Sequence, residues 1–116
     1  MSGRALVRLA ALSGALAVAA GAFAAHGASG RAVEWLKTGG QYELIHALAA
    51  IIAVQLGAEL AAALLLGGSL LFAATLYAMA FGAPHILGAV TPLGGVGMIL
   101  GWVLLVWRGT AKGRKR

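Results

Sequence analysis

Residues 60–84, LAAALLLGGSLLFAATLYAMAFGAP, decide the fold of this chain because no position in the stretch is Asp, Glu, Lys, Arg or His. A transmembrane helix needs about 20 apolar residues to cross roughly 30 Å of hydrocarbon, so this stretch is long enough to span a bilayer. Residues 86–107 form a second stretch of this kind. Two shorter ones cover residues 9–25 and 44–58, and His46 is the one ionisable residue in them. The chain therefore alternates between lipid-compatible segments and short breaks.

This pattern predicts an all-α, integral membrane four-helix bundle with short loops. With 61% hydrophobic and 10% charged residues, the 116-residue chain has no room for a soluble domain, so residues 1–116 form a single membrane domain. We expect helices at 4–25, 39–58, 60–81 and 88–107, and a basic C-terminal tail at 108–116. The start of the second helix rests on Thr38-Gly39-Gly40-Gln41, because a Thr-x-x-Gln spacing is typical of an N-terminal capping box.

The basic residues predict the orientation of the helices. The chain has nine Lys and Arg residues and a net charge of +6. Seven of the nine lie near the two chain termini, at the start of the first helix and the end of the fourth. The positive-inside rule then places both termini in the cytoplasm, as an even number of spans requires. Because no aromatic residues are interleaved with these charges, nucleic acid is not an expected partner. The N-terminal segment is also typical of a cleavable signal peptide, and if retained it is the first helix.

This orientation places several polar residues in the half of the membrane that faces away from the cytoplasm. His46 follows Tyr42 by four residues and Glu43 by three, so all three can share one face of the second helix. His26 ends the first helix, and Tyr77 lies near the outer end of the third. These five residues form a candidate polar cluster at the outer end of the bundle.

Two interpretations of this cluster stay open. In the favoured one, the polar groups hydrogen-bond to one another and lock the helices together. In the other, they bind a proton, a metal or a small molecule, since ionisable residues inside a bilayer often mark functional sites. The sequence has no nucleophile with a base and an orienting acid, no phosphate loop and no cysteine. We therefore expect no enzymatic activity, no metal and no cofactor.

Small residues predict close helix packing and association with other proteins. They recur at steps of three and four on the first and fourth helices, at Gly14, Ala17, Gly21, Gly94, Gly97 and Gly101. Through the stripe on the fourth helix we expect a homo-oligomer or a larger membrane complex. Trp35, Trp102 and Trp107 are expected to anchor the chain at the membrane interfaces, in contact with the lipid bilayer.

Four motifs follow one another in a fixed order: Gly21-Ala22-Phe23-Ala24-Ala25-His26-Gly27, Trp35-x-x-Thr38-Gly39-Gly40-Gln41-Tyr42-x-x-x-His46-Ala47, Leu76-Tyr77, and Thr91-Pro92-Leu93-Gly94-Gly95 with Gly101-Trp102. Together they resemble the YgdD-like family of small membrane proteins, whose function is unknown. The resemblance implies four transmembrane helices and a multi-pass location in the bacterial inner membrane. It implies no activity. The sequence therefore favours a non-enzymatic accessory or interaction protein, and small-molecule, proton or metal binding by the polar cluster is the alternative.

Overall fold

The computed structural model describes the backbone of residues 2–115 and the side chains of residues 2–107. Its four α-helices are α1 (Gly3–His26), α2 (Arg31–Gln55), α3 (Glu59–Ala80) and α4 (Thr91–Lys115), and a short 3₁₀ helix, His85–Ala89, precedes α4. The all-α prediction with four long helices is confirmed. The predicted tail at 108–116 continues α4 as far as Lys115, while its side chains and Arg116 lie outside the described residues.

The bounds of α1 and α3 agree with the predicted ones to within one residue. Ser2 caps α1, because its Oγ accepts a hydrogen bond from the backbone N–H of Ala5 at 3.1 Å. The connection between α2 and α3 is short, and Gly57 closes it with a φ of 79°, a conformation that glycine adopts without a steric penalty. α4 begins at Thr91, later than predicted, because residues 85–89 form the 3₁₀ helix instead.

The predicted start of α2 at residue 39 is wrong. The helix begins eight residues earlier, at Arg31, directly after Gly30, whose φ of 64° ends the preceding turn. Thr38 and Gln41 therefore lie inside the helix and cap nothing. Trp35, expected before the second helix as an anchor at the membrane interface, is part of the second turn of α2.

The error has a physical cause, because Gly39 and Gly40 are packing positions rather than helix breaks. A Cβ added at Gly39 would lie 2.8 Å from Cε1 of Tyr77 on α3. One added at Gly40 would lie 3.2 Å from the carbonyl oxygen of Ala17 on α1. The glycine pair therefore lets α2 approach both neighbours at once, which outweighs the low helix propensity of glycine.

The helices pack in chain order, α1 against α2, α2 against α3 and α3 against α4. α1 also touches α3 over a smaller area, whereas α1 and α4 form no broad contact within the described residues. The molecule measures 51 × 25 × 20 Å, which leaves room across its width for two helices of about 10 Å diameter in each direction. Small buried residues such as Ala10, Ala50 and Ala62 line the contacts between α1, α2 and α3.

α3 and α4 approach closely enough for backbone to meet backbone. A Cβ added at Gly68 of α3 would lie 2.6 Å from the N atom of Met98, and one at Gly94 of α4 would lie 2.5 Å from that of Phe72. One at Gly101 would lie 2.7 Å from Cγ of Leu65. The small-residue stripe of α4 therefore faces α3 within the same chain. The expectation that this stripe binds another protein is corrected accordingly.

The stripe of α1 has a more limited role. Ala17 is buried at the contact with Gly40, and a Cβ on Gly14 would make only ordinary contacts with α2, the nearest at 3.9 Å. One on Gly21 would meet nothing within 4 Å, although the backbone of Gly21 lies beside Gly40.

Three segments are long and apolar enough to cross a membrane: Gly3–His26, Glu59–Ala80 and His85–Trp107. α2 is not one of them. Its first turns carry Arg31, Glu34 and Lys37, and Glu43 and His46 follow in its middle. Both middle residues are buried between the neighbouring helices, with 1% and 5% of their surface exposed.

Candidate functional site

The carboxyl group of Glu43 joins three helices. Its Oε2 accepts a hydrogen bond from Oγ of Ser13 on α1 at 2.7 Å, and its Oε1 accepts one from the phenol of Tyr77 on α3 at 2.6 Å. Ser13 and Glu43 are 2% and 1% exposed. Because both oxygens are paired, burial of this polar group away from water is compensated by hydrogen bonds from two neighbouring helices.

A second hydrogen-bonded group surrounds the imidazole of His46 and connects α2 to α4. Nδ1 of His46 lies 2.7 Å from the backbone oxygen of Tyr42, and the indole N–H of Trp102 donates to Nε2 at 3.0 Å. A carbonyl oxygen can only accept and an indole N–H can only donate, so these partners assign the proton to Nδ1. His46 is thus held as the neutral Nδ1–H tautomer.

The two groups lie deeper than the sequence suggested. Glu43 follows the start of α2 by twelve residues and precedes its end by twelve, so it lies about 18 Å from either end at a rise of 1.5 Å per residue. Ser13 likewise lies near the middle of α1. The prediction of a cluster at the outer end of the bundle is therefore wrong, because α2 starts eight residues earlier than its sequence pattern indicated.

The structure brings together four of the five predicted cluster residues, in two separate sets. Glu43 and Tyr77 form one set, and Tyr42 and His46 form the other, with nearly parallel rings whose centroids are 6.1 Å apart. His26 is exposed at the end of α1 and takes part in neither set. No hydrogen bond connects the two sets within the described residues.

Sequence reasoning missed two partners. Nothing in the sequence around Ser13 indicates that its partner lies thirty positions away. Trp102 was assigned to an interfacial belt, whereas its indole N–H is used by His46. The one available signal concerns Ser13, which lies near the middle of an apolar helix, where a polar group needs a hydrogen-bond partner.

The other two tryptophans, Trp35 and Trp107, have different surroundings. Trp35 packs edge-on against His85 with ring centroids 5.3 Å apart, and the guanidinium of Arg31 lies 4.9 Å from its ring centroid. This contact ties the start of α2 to the 3₁₀ helix. Trp107 is 75% exposed.

Two threonines fasten the start of α4 to α3. The hydroxyls of Thr75 and Thr91 lie 2.6 Å apart, and the backbone oxygens of Phe72 and Leu87 lie 2.9 Å and 3.2 Å from them respectively. Because the two hydroxyls have only two hydrogens for these three contacts, one hydroxyl donates to the other, which in turn donates to its own backbone oxygen.

A pocket of about 390 Å³ lies beside the second group, between α2, α3 and α4. Tyr42, His46 and Trp102 line it together with Phe72 and Met98. It exists because α4 packs on α3 and reaches α2 mainly through Trp102, which leaves a gap between α2 and α4. Its walls are aromatic: the rings of Tyr42 and Phe72 are 4.8 Å apart.

The described residues contain no group of three or more His, Cys, Asp or Glu side chains that could hold a metal ion. The Glu43-x-x-His46 pair does not converge, since its two members turn to different helices. What the arrangement provides is a set of fixed hydrogen bonds and an apolar pocket with polar groups at its edge.

Comparison with known proteins gives the family. The family described as "Protein of unknown function (DUF423)" matches residues 20–95, a range that includes Glu43, His46 and Tyr77. The chain belongs to this family. The resemblance to YgdD-like proteins is confirmed as well, since the UPF0382 inner membrane protein YgdD of Escherichia coli K12 is 36% identical over 91% of this chain and 89% of its own length.

Two further relatives are also named UPF0382 membrane proteins. A UPF0382 membrane protein of Haemophilus influenzae is 41% identical over 85% of this chain and 88% of its own length. YwdK of Bacillus subtilis, also named a UPF0382 membrane protein, is 38% identical over 84% and 89%. No solved structure matches the chain. These relatives and the three membrane-capable helices identify the chain as a membrane protein.

Proposed function

We propose that this DUF423 protein is a multi-pass protein of the bacterial inner membrane that acts as a non-enzymatic accessory protein. The observation that carries the proposal is the use of Glu43, whose two carboxyl oxygens are both spent on hydrogen bonds that hold α1, α2 and α3 together. The buried ionisable residues thus serve the internal packing. The surface that is left for contact with other molecules is the lipid-facing one.

The orientation belongs to the same proposal. α2 follows α1 after the short connection at residues 27–30 and packs along it, so in the proposed topology both helices cross the membrane, in opposite directions. Four crossings return the chain to its starting side, and the basic residues near both ends favour the cytoplasm for that side. A reporter fused to the C-terminus tests this: a fluorescent protein should fold and fluoresce there, and alkaline phosphatase should be inactive. The opposite pair of results would contradict the orientation.

The accessory role requires specific neighbours in the membrane, either other proteins or further copies of this chain. Photo-crosslinking with p-benzoylphenylalanine tests for them at Phe81 and Trp107, which are 69% and 75% exposed. Phe72, which is half-buried and packed against Tyr42, is the less exposed control of the same kind. We expect a discrete protein adduct from an exposed position and none from Phe72. Lipid adducts alone from both exposed positions would contradict the role.

Ligand binding is the second candidate function, and the pocket between α2 and α4 favours it. At about 390 Å³ it falls in the size range of small-molecule sites, about 300 to 1,000 Å³, and is mainly apolar with a few polar groups, as such sites are. Proton or metal binding by the predicted five-residue cluster has less support, because the two hydrogen-bonded sets use up the groups it would need.

A further inference from the structure

We propose that the pocket between α2 and α4 binds a flat, membrane-soluble ring that carries a carbonyl oxygen, the chemistry of a quinone head group. This inference rests on the ligand-binding candidate above and names its ligand class. It starts from one side chain, Tyr42, which lines the pocket and is 45% exposed.

The hydroxyl of Tyr42 is available as a hydrogen-bond donor. Within the described residues, no side chain or backbone group hydrogen-bonds to it, whereas every buried polar side-chain atom has a partner. Tyr42 follows the start of α2 by eleven residues, about 16 Å along the helix axis. In the proposed topology, in which α2 crosses the membrane, this depth lies within the hydrocarbon, where water does not satisfy a hydroxyl and an unpaired one is costly. A carbonyl oxygen on a bound ring would accept its hydrogen bond.

The walls of the pocket select a flat ring. Tyr42 and Phe72 are 4.8 Å apart between ring centroids, and His46 and Trp102 are 5.8 Å apart at a nearly perpendicular angle. Aromatic side chains favour stacked or edge-on contact with another ring. Met98 adds a polarisable thioether, which also packs well on aromatic faces.

The remaining polar groups agree with a neutral ligand. His46 is neutral in the tautomer that its partners impose, and Trp102 contributes a neutral indole. Among the residues whose side chains are described, no Asp, Glu, Lys or Arg lines the pocket, so none of them would hold an ionic ligand there. Gly95 also lines the pocket. A Cβ added to it would meet no neighbouring atom within 4 Å, so the space in front of it is open.

Fluorescence of Trp102 tests the inference. In a Trp35→Phe, Trp107→Phe background it is the one tryptophan left, and decylubiquinone, a quinone that quenches indole fluorescence on contact, is the probe. The protein is held in nanodiscs at a fixed lipid concentration. We expect quenching that saturates with the quinone-to-lipid ratio, above the linear quenching that free tryptophan octyl ester shows in the same discs. Linear quenching alone would overturn the proposal.

Matched variants locate the site. Gly95→Leu fills the pocket and should abolish the saturable component, whereas Gly67→Leu makes the same change on α3, where an added Cβ likewise meets nothing within 4 Å, and should leave it unchanged. Tyr42→Phe keeps the ring and should weaken binding about fivefold, the value of one hydrogen bond. Equal binding by Gly95→Leu and Gly67→Leu, or undiminished binding by Tyr42→Phe, would refute the site. Since no partner protein is present in the discs, these results are independent of the accessory role.

Discussion

Glu43 is the residue at which three helices converge, and its surroundings explain how a carboxyl group is tolerated there. Two hydroxyls from different helices donate to it, one to each oxygen. In lipid such hydrogen bonds are a main source of specific helix association, because apolar side chains gain little by leaving hydrocarbon for a helix surface. The residue therefore fixes which faces of α1, α2 and α3 meet.

Removal of the phenol from this arrangement should destabilise the protein. Tyr77→Phe leaves Oε1 of Glu43 buried without its donor, and the expected loss is about 1–3 kcal/mol in the free energy of unfolding. Tyr42→Phe is the matched control, since that hydroxyl has no partner within the described residues, and its removal should cause no loss of stability. SDS titration in mixed micelles measures both. Equal losses would show that the bond to Glu43 contributes nothing.

The tautomer of His46 is a second prediction at this scale. The Nδ1–H form is the less common one for a free imidazole, and here it follows from a carbonyl acceptor on one side and an indole donor on the other. Nitrogen-15 NMR of histidine-labelled protein should show a protonated Nδ1 and an unprotonated Nε2 for His46. The exposed His26 and His85 serve as references. A proton on Nε2 of His46 would contradict the hydrogen bond from Trp102.

At the scale of the helices, glycine determines how closely they approach. The neighbours Gly67 and Gly68 on α3 show this most sharply, because an added Cβ meets nothing within 4 Å at the first and the backbone of α4 at 2.6 Å at the second. Only the second is part of the α3 to α4 contact.

Single alanine substitutions at these two positions should therefore have opposite signs. Gly67→Ala should stabilise the protein by about 0.5–1 kcal/mol, because alanine is the better helix former and finds open space. Gly68→Ala should destabilise it by about 1–3 kcal/mol, since α4 must move outward. SDS titration compares the pair under identical conditions. A stabilising Gly68→Ala would show that the helices do not approach as closely as described.

The helices also show what sequence can and cannot predict here. α1 and α3 were predictable because uninterrupted apolar residues leave lipid as their only solvent. α2 was not, because Gly39 and Gly40 look the same in sequence whether they end a helix or admit a neighbour such as Tyr77. The same limit hid Ser13, since nothing local to it indicates that Glu43 is its partner.

At the scale of the whole molecule, α2 crosses the membrane in the proposed topology although it is less apolar than the three segments with span-like composition. Its charged first turns lie at one end, and Glu43 and His46 are enclosed by the other helices. Hydropathy counts these residues as if lipid surrounded them, whereas the fold pairs them with Ser13, Tyr77 and Trp102. A polar helix can therefore span when its neighbours provide the hydrogen bonds.

The most direct test of this claim locates the two ends of α2. The chain has no native cysteine, so Ser29→Cys before the helix and Leu56→Cys after it each introduce a single thiol at an exposed position. A membrane-impermeant maleimide added to spheroplasts should label Ser29→Cys in intact cells and Leu56→Cys only after lysis. Labelling of both positions, or of neither, in intact spheroplasts would place the two ends on the same side and contradict the crossing.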